Sequence, residues 1–159
     1  MDELQQIMDW KYPPGKTRKY AESNGAEDVE AVTGKAFREA DPIEMVRTLS
    51  QLKGVWVAMS SAILMAFDPL HYTVLDWRAW DTLNELCLLD QLGLSRFDSK
   101  LNDPNTYGAY LKVCARLADD ANVSLRTLDK CLWTISERKL YRWAQRGITL
   151  GPLVNPGES

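Results

Sequence analysis

Residues 57–67, VAMSSAILMAF, are apolar nearly all the way round when they are drawn as a helix. Such a helix must be surrounded by other elements, because none of its faces is suited to water. Asp68 and Pro69 follow, and the residue before a proline is disfavoured in helical conformation. We therefore predict a central buried helix over residues 57–67 that ends at this Asp-Pro pair, with the other elements packed around it.

The remainder of the chain also shows helical periodicity, and no alternating segment of convincing length predicts a strand. Asp41 marks the start of a helix that we expect to stop at Gly54. Pro42 follows it in the first turn, and Glu44 stands at the capping-box position. Ser124 is placed to cap a later helix.

Apolar stripes at helical spacing predict three further helices. They lie at residues 29–37, 76–92 and 110–118, with a polar loop over residues 93–106. The sequence thus predicts an all-α fold, a compact single-domain helical bundle of about seven or eight helices. We place this domain at residues 1–147 and a loose C-terminal tail at residues 148–159.

Composition narrows the class of protein. The chain has 159 residues, 45% of them hydrophobic, which suits one domain with a real core. No apolar run is long enough to cross a bilayer and no secretory signal is visible, so we expect a cytoplasmic protein with no membrane partner. One histidine and three scattered cysteines leave little for a metal site, so we expect buried, reduced thiols and neither metal nor cofactor.

The formal net charge of −3 argues weakly against nucleic acid as a partner, because Lys and Arg carry most of the affinity for phosphates. A local patch can still bind. Two patches combine cations with aromatic residues, and either is equally well explained as a solvated face. They comprise Lys11, Lys16, Arg18 and Lys19 near Tyr12, and Arg138, Lys139, Arg142 and Arg146 near Tyr141 and Trp143.

The stretch from residue 49 to residue 80 carries the most specific motif. A capped helix runs into the turn LKGVW at residues 52–56, the apolar helix follows, and a Pro-containing loop leads to Asp76 before another helix. This order of parts resembles the helix-hairpin-helix core of the base-excision DNA glycosylases, including the 8-oxoguanine type. In that family, the turn exposes backbone N–H groups to a phosphate at a helix N-terminus.

The resemblance implies that the turn contacts double-stranded DNA. The residues it assigns to that contact are Lys53, Gly54, Val55 and Trp56. Gly54 matches the first glycine of the family's turn, whereas Trp56 stands in place of the second. Because a Trp adopts positive φ only at a cost and crowds a phosphate, Trp56 departs from the pattern. A structural corner between two helices explains the same residues.

The resemblance also implies that Asp76 is the catalytic carboxylate. It follows the turn at about the family's interval, within the sequence VLDWR. Cleaving an N-glycosidic bond builds positive charge on the sugar, and a nearby carboxylate stabilises that charge. Aspartate is also a common helix N-cap, which explains the same residue without any chemistry.

One further position bears on the reaction type. Members of the family that also cleave the strand carry a catalytic lysine where Ala58 stands here. An alanine forms no Schiff base. The implied activity is therefore that of a monofunctional hydrolase in base excision repair.

The flanking residues suggest a base pocket, because flipped bases are gripped by stacking and hydrogen bonds. The candidates are Trp77, Arg78, His71 and Tyr72. Aromatic residues at helical spacing are more often core, and we expect that for Trp80. Two other functions stay open: a nucleic-acid-binding module without catalysis, and a protein–protein adaptor such as one of phage defence.

Overall fold

Eight α-helices and one short 3-10 helix make up the part of the chain that the computed structural model describes, which is residues 2–11, 15–86 and 99–138. No strand occurs within these residues. The α-helices are α1 (Asp2–Lys11), α2 (Lys16–Ala21), α3 (Ala26–Ala36), α4 (Pro42–Leu49), α5 (Val57–Phe67), α6 (Trp77–Glu85), α7 (Pro104–Asp120) and α8 (Leu125–Arg138), and the 3-10 helix is Ser99–Asn102. The all-α prediction is confirmed.

Helix α5 lies at the centre of the described structure and has the bounds that its sequence predicts. It packs against α1, α4 and α7. All but one of the residues from Val57 to Leu64 are buried, and the helix reaches the surface only near its end, at Phe67. The buried hydrophobic residues form one cluster around it. The apolar helix therefore organises the core.

Side-chain caps fix two helix starts as predicted. The Asp41 carboxylate accepts from the backbone N–H of Ile43 at 2.9 Å, and Ser124 Oγ accepts from the backbone N–H of Thr127 at 3.1 Å. Each bond satisfies an N–H that the helix itself leaves without a partner. Helix α4, however, ends at Leu49, several residues before Gly54.

Two further predicted boundaries are wrong, and others fall outside the described residues. The loop predicted over residues 93–106 is too long, because α7 already begins at Pro104 with Asp103 as its N-cap. The helix predicted over residues 76–92 is seen as Trp77–Glu85, with Leu86 as its C-cap. Residues 87–98 and the predicted tail at 148–159 lie outside the described ranges, as does the second basic patch beyond Arg138.

The cysteines differ from one another in environment. Cys114 is buried, as expected, and burial raises the pKa of its thiol to about 12. Cys131 is exposed, so the expectation of a buried thiol is wrong there. Cys131 lies on α8 next to the buried Leu132 but on the exposed side of the helix. Cys87 is outside the described ranges.

Within the described ranges, none of the helices combines the length and the apolar character needed to cross a membrane.

The turn between α4 and α5 is held by two different contacts. Gly54 has a φ of +69° and lies under α2, so that a Cβ there would come within 2.9 Å of Ala21 and of the Thr17 carbonyl oxygen. The Asn24 side chain pairs with both backbone groups of Lys53, each at 2.9 Å. Gly54 is thus required both for its backbone conformation and for the close approach of α2.

We predict that Gly54→Ala lowers the free energy of unfolding by about 2 kcal/mol or more, because left-handed backbone is costly for alanine and the new methyl group meets backbone atoms. The matched control is Gly34→Ala within α3, where the nearest atom to a Cβ is 3.8 Å away. That change should raise the free energy by about 0.5–1 kcal/mol through helix propensity. Urea unfolding of both variants measures the difference, and equal effects would contradict this account of the turn.

Candidate functional site

Residues 73–76 connect the loop after α5 to the start of α6, and they place Asp76. Thr73, Val74 and Leu75 are each at most 2% exposed, although their backbone is not paired with any strand. Buried hydroxyl groups from α5 and α7 bond to this backbone instead. The bonds run from Leu75 N–H to Ser61 Oγ (2.9 Å), from Tyr110 Oη to Val74 O (3.1 Å) and from Tyr107 Oη to Thr73 O (3.2 Å).

Both carboxylate oxygens of Asp76 have partners. Oδ1 accepts from the backbone N–H of Arg78 at 2.9 Å, which makes Asp76 the N-cap of α6. Oδ2 accepts from Nζ of Lys11, the last residue of α1, at 2.8 Å. The Lys11 side chain is 9% exposed and that of Asp76 is 20% exposed. The carboxylate is thus fixed in orientation while one side of it still faces solvent.

A cavity of about 520 Å³ opens beside Asp76, between α1, α6 and α8. Its walls combine aromatic rings, cations and two carboxylates, in addition to Val74 and Thr134. The aromatic residues are Trp10, Trp77 and Trp133, the cations are Lys11, Arg78, Arg126 and Lys130, and the carboxylates are Asp76 and Asp129. All three indoles are exposed in part. Of the candidate residues from the sequence, the structure brings Asp76, Trp77 and Arg78 together here.

The cations of the cavity stack on its aromatic rings. Cζ of Arg78 lies 4.7 Å from the ring centroid of Trp77 and 4.9 Å from that of Trp133. Arg126 stacks over Trp10 at 5.4 Å. Attraction between a guanidinium and the face of an indole ring is worth about 0.5–1 kcal/mol at exposed sites. These contacts hold α6 and α1 to α8 and fix the guanidinium groups in place.

Asp129 supplies a second carboxylate, which the sequence did not single out. It is 8% exposed and accepts from Nη1 of Arg126 at 2.5 Å. Burial raises the pKa of this carboxyl group, while the charges of Arg126 and Lys11 oppose that shift. The cavity therefore holds two carboxylates in unlike surroundings, one capped and partly exposed, the other buried.

The turn residues assigned to DNA lie elsewhere and do not line this cavity. Lys53 and Trp56 are exposed, whereas Gly54 and Val55 are buried. The backbone N–H of Lys53 donates to Asn24, and that of Val55 donates to the Leu52 carbonyl oxygen at 3.1 Å. Two of the donors that a phosphate-binding hairpin offers are thus engaged within the protein. Contact of these four residues with nucleic acid stays a prediction.

The two loop candidates also lie outside the cavity lining. Nδ1 of His71 is 2.7 Å from Oδ2 of Asp68, on the surface of the loop after α5. The Tyr72 hydroxyl donates to the sulfur of Met45 at 3.2 Å. The first contact lies within the loop and the second joins the loop to α4, and neither residue lines the cavity beside Asp76.

Most of the cavity wall comes from residues to which the sequence assigned no chemistry. In the sequence, Lys11 is part of a basic patch, and no function is predicted for Arg126, Asp129, Lys130 or Trp133 of α8. The pairing of Lys11 with Asp76 joins residues 65 positions apart, and no local pattern announces such a contact. Interleaving of cations and tryptophan along α8 was the one available signal, at Arg126, Lys130 and Trp133.

No group of three or more potential metal ligands occurs among residues 2–11, 15–86 and 99–138. Comparison of the chain with family models, with curated proteins and with solved structures found no significant match.

Proposed function

We propose that this protein hydrolyses the N-glycosidic bond of a damaged or modified base in double-stranded DNA, with Asp76 as the key carboxylate. The observation that supports this proposal most directly is the position of Asp76 at a cavity walled by three tryptophans and by cations. The cavity volume of about 520 Å³ is in the usual range for small-molecule sites. An extruded base needs flat apolar surfaces to stack on, and the indole rings supply them.

The chemistry follows from the charge that the reaction creates. As the bond between C1′ and the base nitrogen breaks, the base leaves with the electron pair and takes up a proton, and positive charge develops on the sugar. The Asp76 carboxylate stabilises this charge. Water then adds its oxygen to C1′ and gives up a proton, for which a carboxylate beside the sugar is a suitable acceptor. The products are the free base and an abasic site.

The contacts of Asp76 suit this role because they orient the group. The N–H of Arg78 and the ammonium of Lys11 each bind one oxygen, and the Asp76 side chain still lines the cavity with 20% of its surface exposed. A carboxylate that is already oriented needs little reorganisation when the sugar charge develops.

One observation favours a second candidate function, binding of nucleic acid without catalysis. Both oxygens of Asp76 are engaged in an N-cap and an ion pair, and a carboxylate with a purely structural role shows the same contacts. In that case the cavity is a binding site only, and the loss of the Asp76 charge changes stability but not chemistry.

We predict that Asp76→Asn reduces the release of base from a modified duplex by about 100-fold or more, the scale of losing one electrostatic stabiliser. Asparagine keeps the size and the capping oxygen, so the variant should fold. Free base is measured by chromatography over a panel of damaged and modified duplexes, and folding is measured by thermal unfolding.

Two control variants separate charge from structure. Asp103→Asn makes the same change at the N-cap of α7, where the carboxylate likewise accepts from the N–H two residues on, at 2.9 Å. Lys11→Gln breaks the ion pair but keeps the Asp76 carboxylate. Asp103→Asn should retain the base release of the parent. Lys11→Gln should lose less base release than Asp76→Asn, because the carboxylate remains but has lost one of the two contacts that orient it. If Asp76→Asn excises as well as these two controls do, Asp76 is only a cap, and the binding-only function is supported.

We also predict that borohydride traps no covalent adduct between the protein and DNA, and that product strands stay uncut until alkali is added. Ala58 occupies the place of the family's lysine, and the Lys11 ammonium is engaged by Asp76. The lysine nearest to Asp76 is thus held in an ion pair and is not free to act as a nucleophile. Denaturing gel electrophoresis detects the adduct, and a band that disappears in Lys11→Gln would identify Lys11 as a nucleophile and contradict the monofunctional mechanism.

A further inference from the structure

The guanidinium group of Arg78 lies over the rings of two tryptophans. The ring centroids of Trp77, its neighbour on α6, and of Trp133 on α8 are 4.7 and 4.9 Å from Cζ. No ion pair with a described residue engages the N–H donors of this group, so they remain available for binding. Because the stack holds the group in place, little side-chain entropy is lost when those donors bind a ligand.

The charges of the cavity are only partly compensated within the described residues. Lys11 pairs with Asp76 at 2.8 Å and Arg126 pairs with Asp129 at 2.5 Å. Arg78 and Lys130 line the same cavity, and neither forms an ion pair with a residue of the described ranges. The cavity thus offers two uncompensated cations beside its aromatic walls.

We propose that Arg78, together with Lys130, binds the phosphate next to the nucleotide whose base is excised, so that the cavity itself holds the DNA strand. This inference rests on the proposed function and specifies its DNA contact. The planar edge of a guanidinium matches two phosphate oxygens at once, and a lysine adds a point charge. The exposed indole rings beside these cations offer surfaces on which a base can stack. Cations and aromatic rings together suit a nucleotide strand better than an acidic peptide, which has no base to stack.

The turn itself is less well suited to a phosphate. The N–H groups of Lys53 and Val55 already have acceptors within the protein, and Gly54 is packed under α2. Trp56 occupies the next position, with an exposed indole. The side chains of the cavity therefore carry the phosphate contact that the turn amides carry in the family that the sequence resembles.

The test measures how strongly binding depends on salt. The probe is a labelled duplex with a stable abasic-site analogue, and its dissociation constant is determined at several sodium chloride concentrations. Each phosphate contact contributes about 0.9 to the slope of log K against log salt. Arg78→Ala and Lys130→Ala should each reduce the slope by about one. Arg78→Lys should keep the slope, because the charge remains, but bind several-fold more weakly because the two-pronged contact is lost.

The matched control is Arg38→Ala, which removes an exposed arginine that lies outside the cavity and has no ion pair with a described residue. Its slope should equal that of the parent. Thermal unfolding shows whether Arg78→Ala is folded. If it is not folded, Arg78→Lys serves as the test variant, because it keeps a cation beside Trp77 and Trp133. Equal slopes for Arg78→Ala, Lys130→Ala and Arg38→Ala would overturn the inference, as would competition by polyglutamate as effective as that by DNA.

The binding assay tests the phosphate contact and the base-release assay tests the proposed hydrolase, so each proposal can be overturned without the other. Base release by the parent, with an unchanged slope in Arg78→Ala, overturns the phosphate contact and leaves the proposed function standing. A reduced slope in Arg78→Ala with no release from any duplex supports the phosphate contact and overturns the hydrolase. A parent protein that does not bind the duplex overturns both.

Discussion

The candidate site depends on a buried stretch of backbone, residues 73–75, that belongs to neither a helix nor a strand. Backbone N–H and C=O groups are costly to bury without partners, by about 1–3 kcal/mol each. Ser61 of α5 and Tyr107 and Tyr110 of α7 supply the partners for residues 73–75. Burial raises the pKa of Tyr110 well above its ordinary value, so this hydroxyl stays protonated and remains a donor. Asp76 follows directly, and its place is fixed by these bonds.

The surroundings of Asp76 are then determined by which helices meet there. Helix α6 begins at Trp77, directly after its N-cap Asp76, and packs along α8, where the Thr82 hydroxyl donates to the Leu132 carbonyl oxygen at 2.7 Å. This packing brings Trp133 against Arg78, and the end of α1 brings Lys11 against Asp76. Charged and aromatic side chains from three helices are thereby concentrated at one opening. This mixture of charged and aromatic groups is the basis on which we propose a nucleotide, which is both flat and anionic, as the ligand of the cavity.

The elements of the fold that the sequence predicted are those governed by local physics. The all-round apolar pattern of residues 57–67 permits only a buried helix, and the cap at Asp41 depends on atoms two residues apart. Two helix boundaries differ from the prediction. Helix α4 ends at Leu49 with Ser50 as its C-cap, before Gly54 is reached. Helix α7 begins at Pro104 because Asp103 caps it, and this capping signal lies inside the segment that was predicted to be a loop.

The candidate site was predictable only where it is local. Asp76, Trp77 and Arg78 are consecutive, so the sequence located them together. Lys11 and Trp133 join them through tertiary packing, which no spacing along the chain encodes. At the turn, the sequence singled out Gly54 as part of a hairpin. The structure requires a glycine there because of its positive φ and also because α2 approaches closely, and the second reason is a tertiary contact that the sequence does not reveal.

The central claim is that nucleic acid enters the cavity beside Asp76. Indole N–H signals in a nitrogen-15 NMR spectrum test it directly, because tryptophans lie at both candidate surfaces: Trp77 and Trp133 at the cavity, Trp56 at the turn. The signals are assigned with single Trp→Phe variants, and the protein is titrated with a duplex that carries an abasic-site analogue. The account predicts that the signals of Trp77 and Trp133 move most. Movement of the Trp56 signal while those two stay unchanged would contradict it.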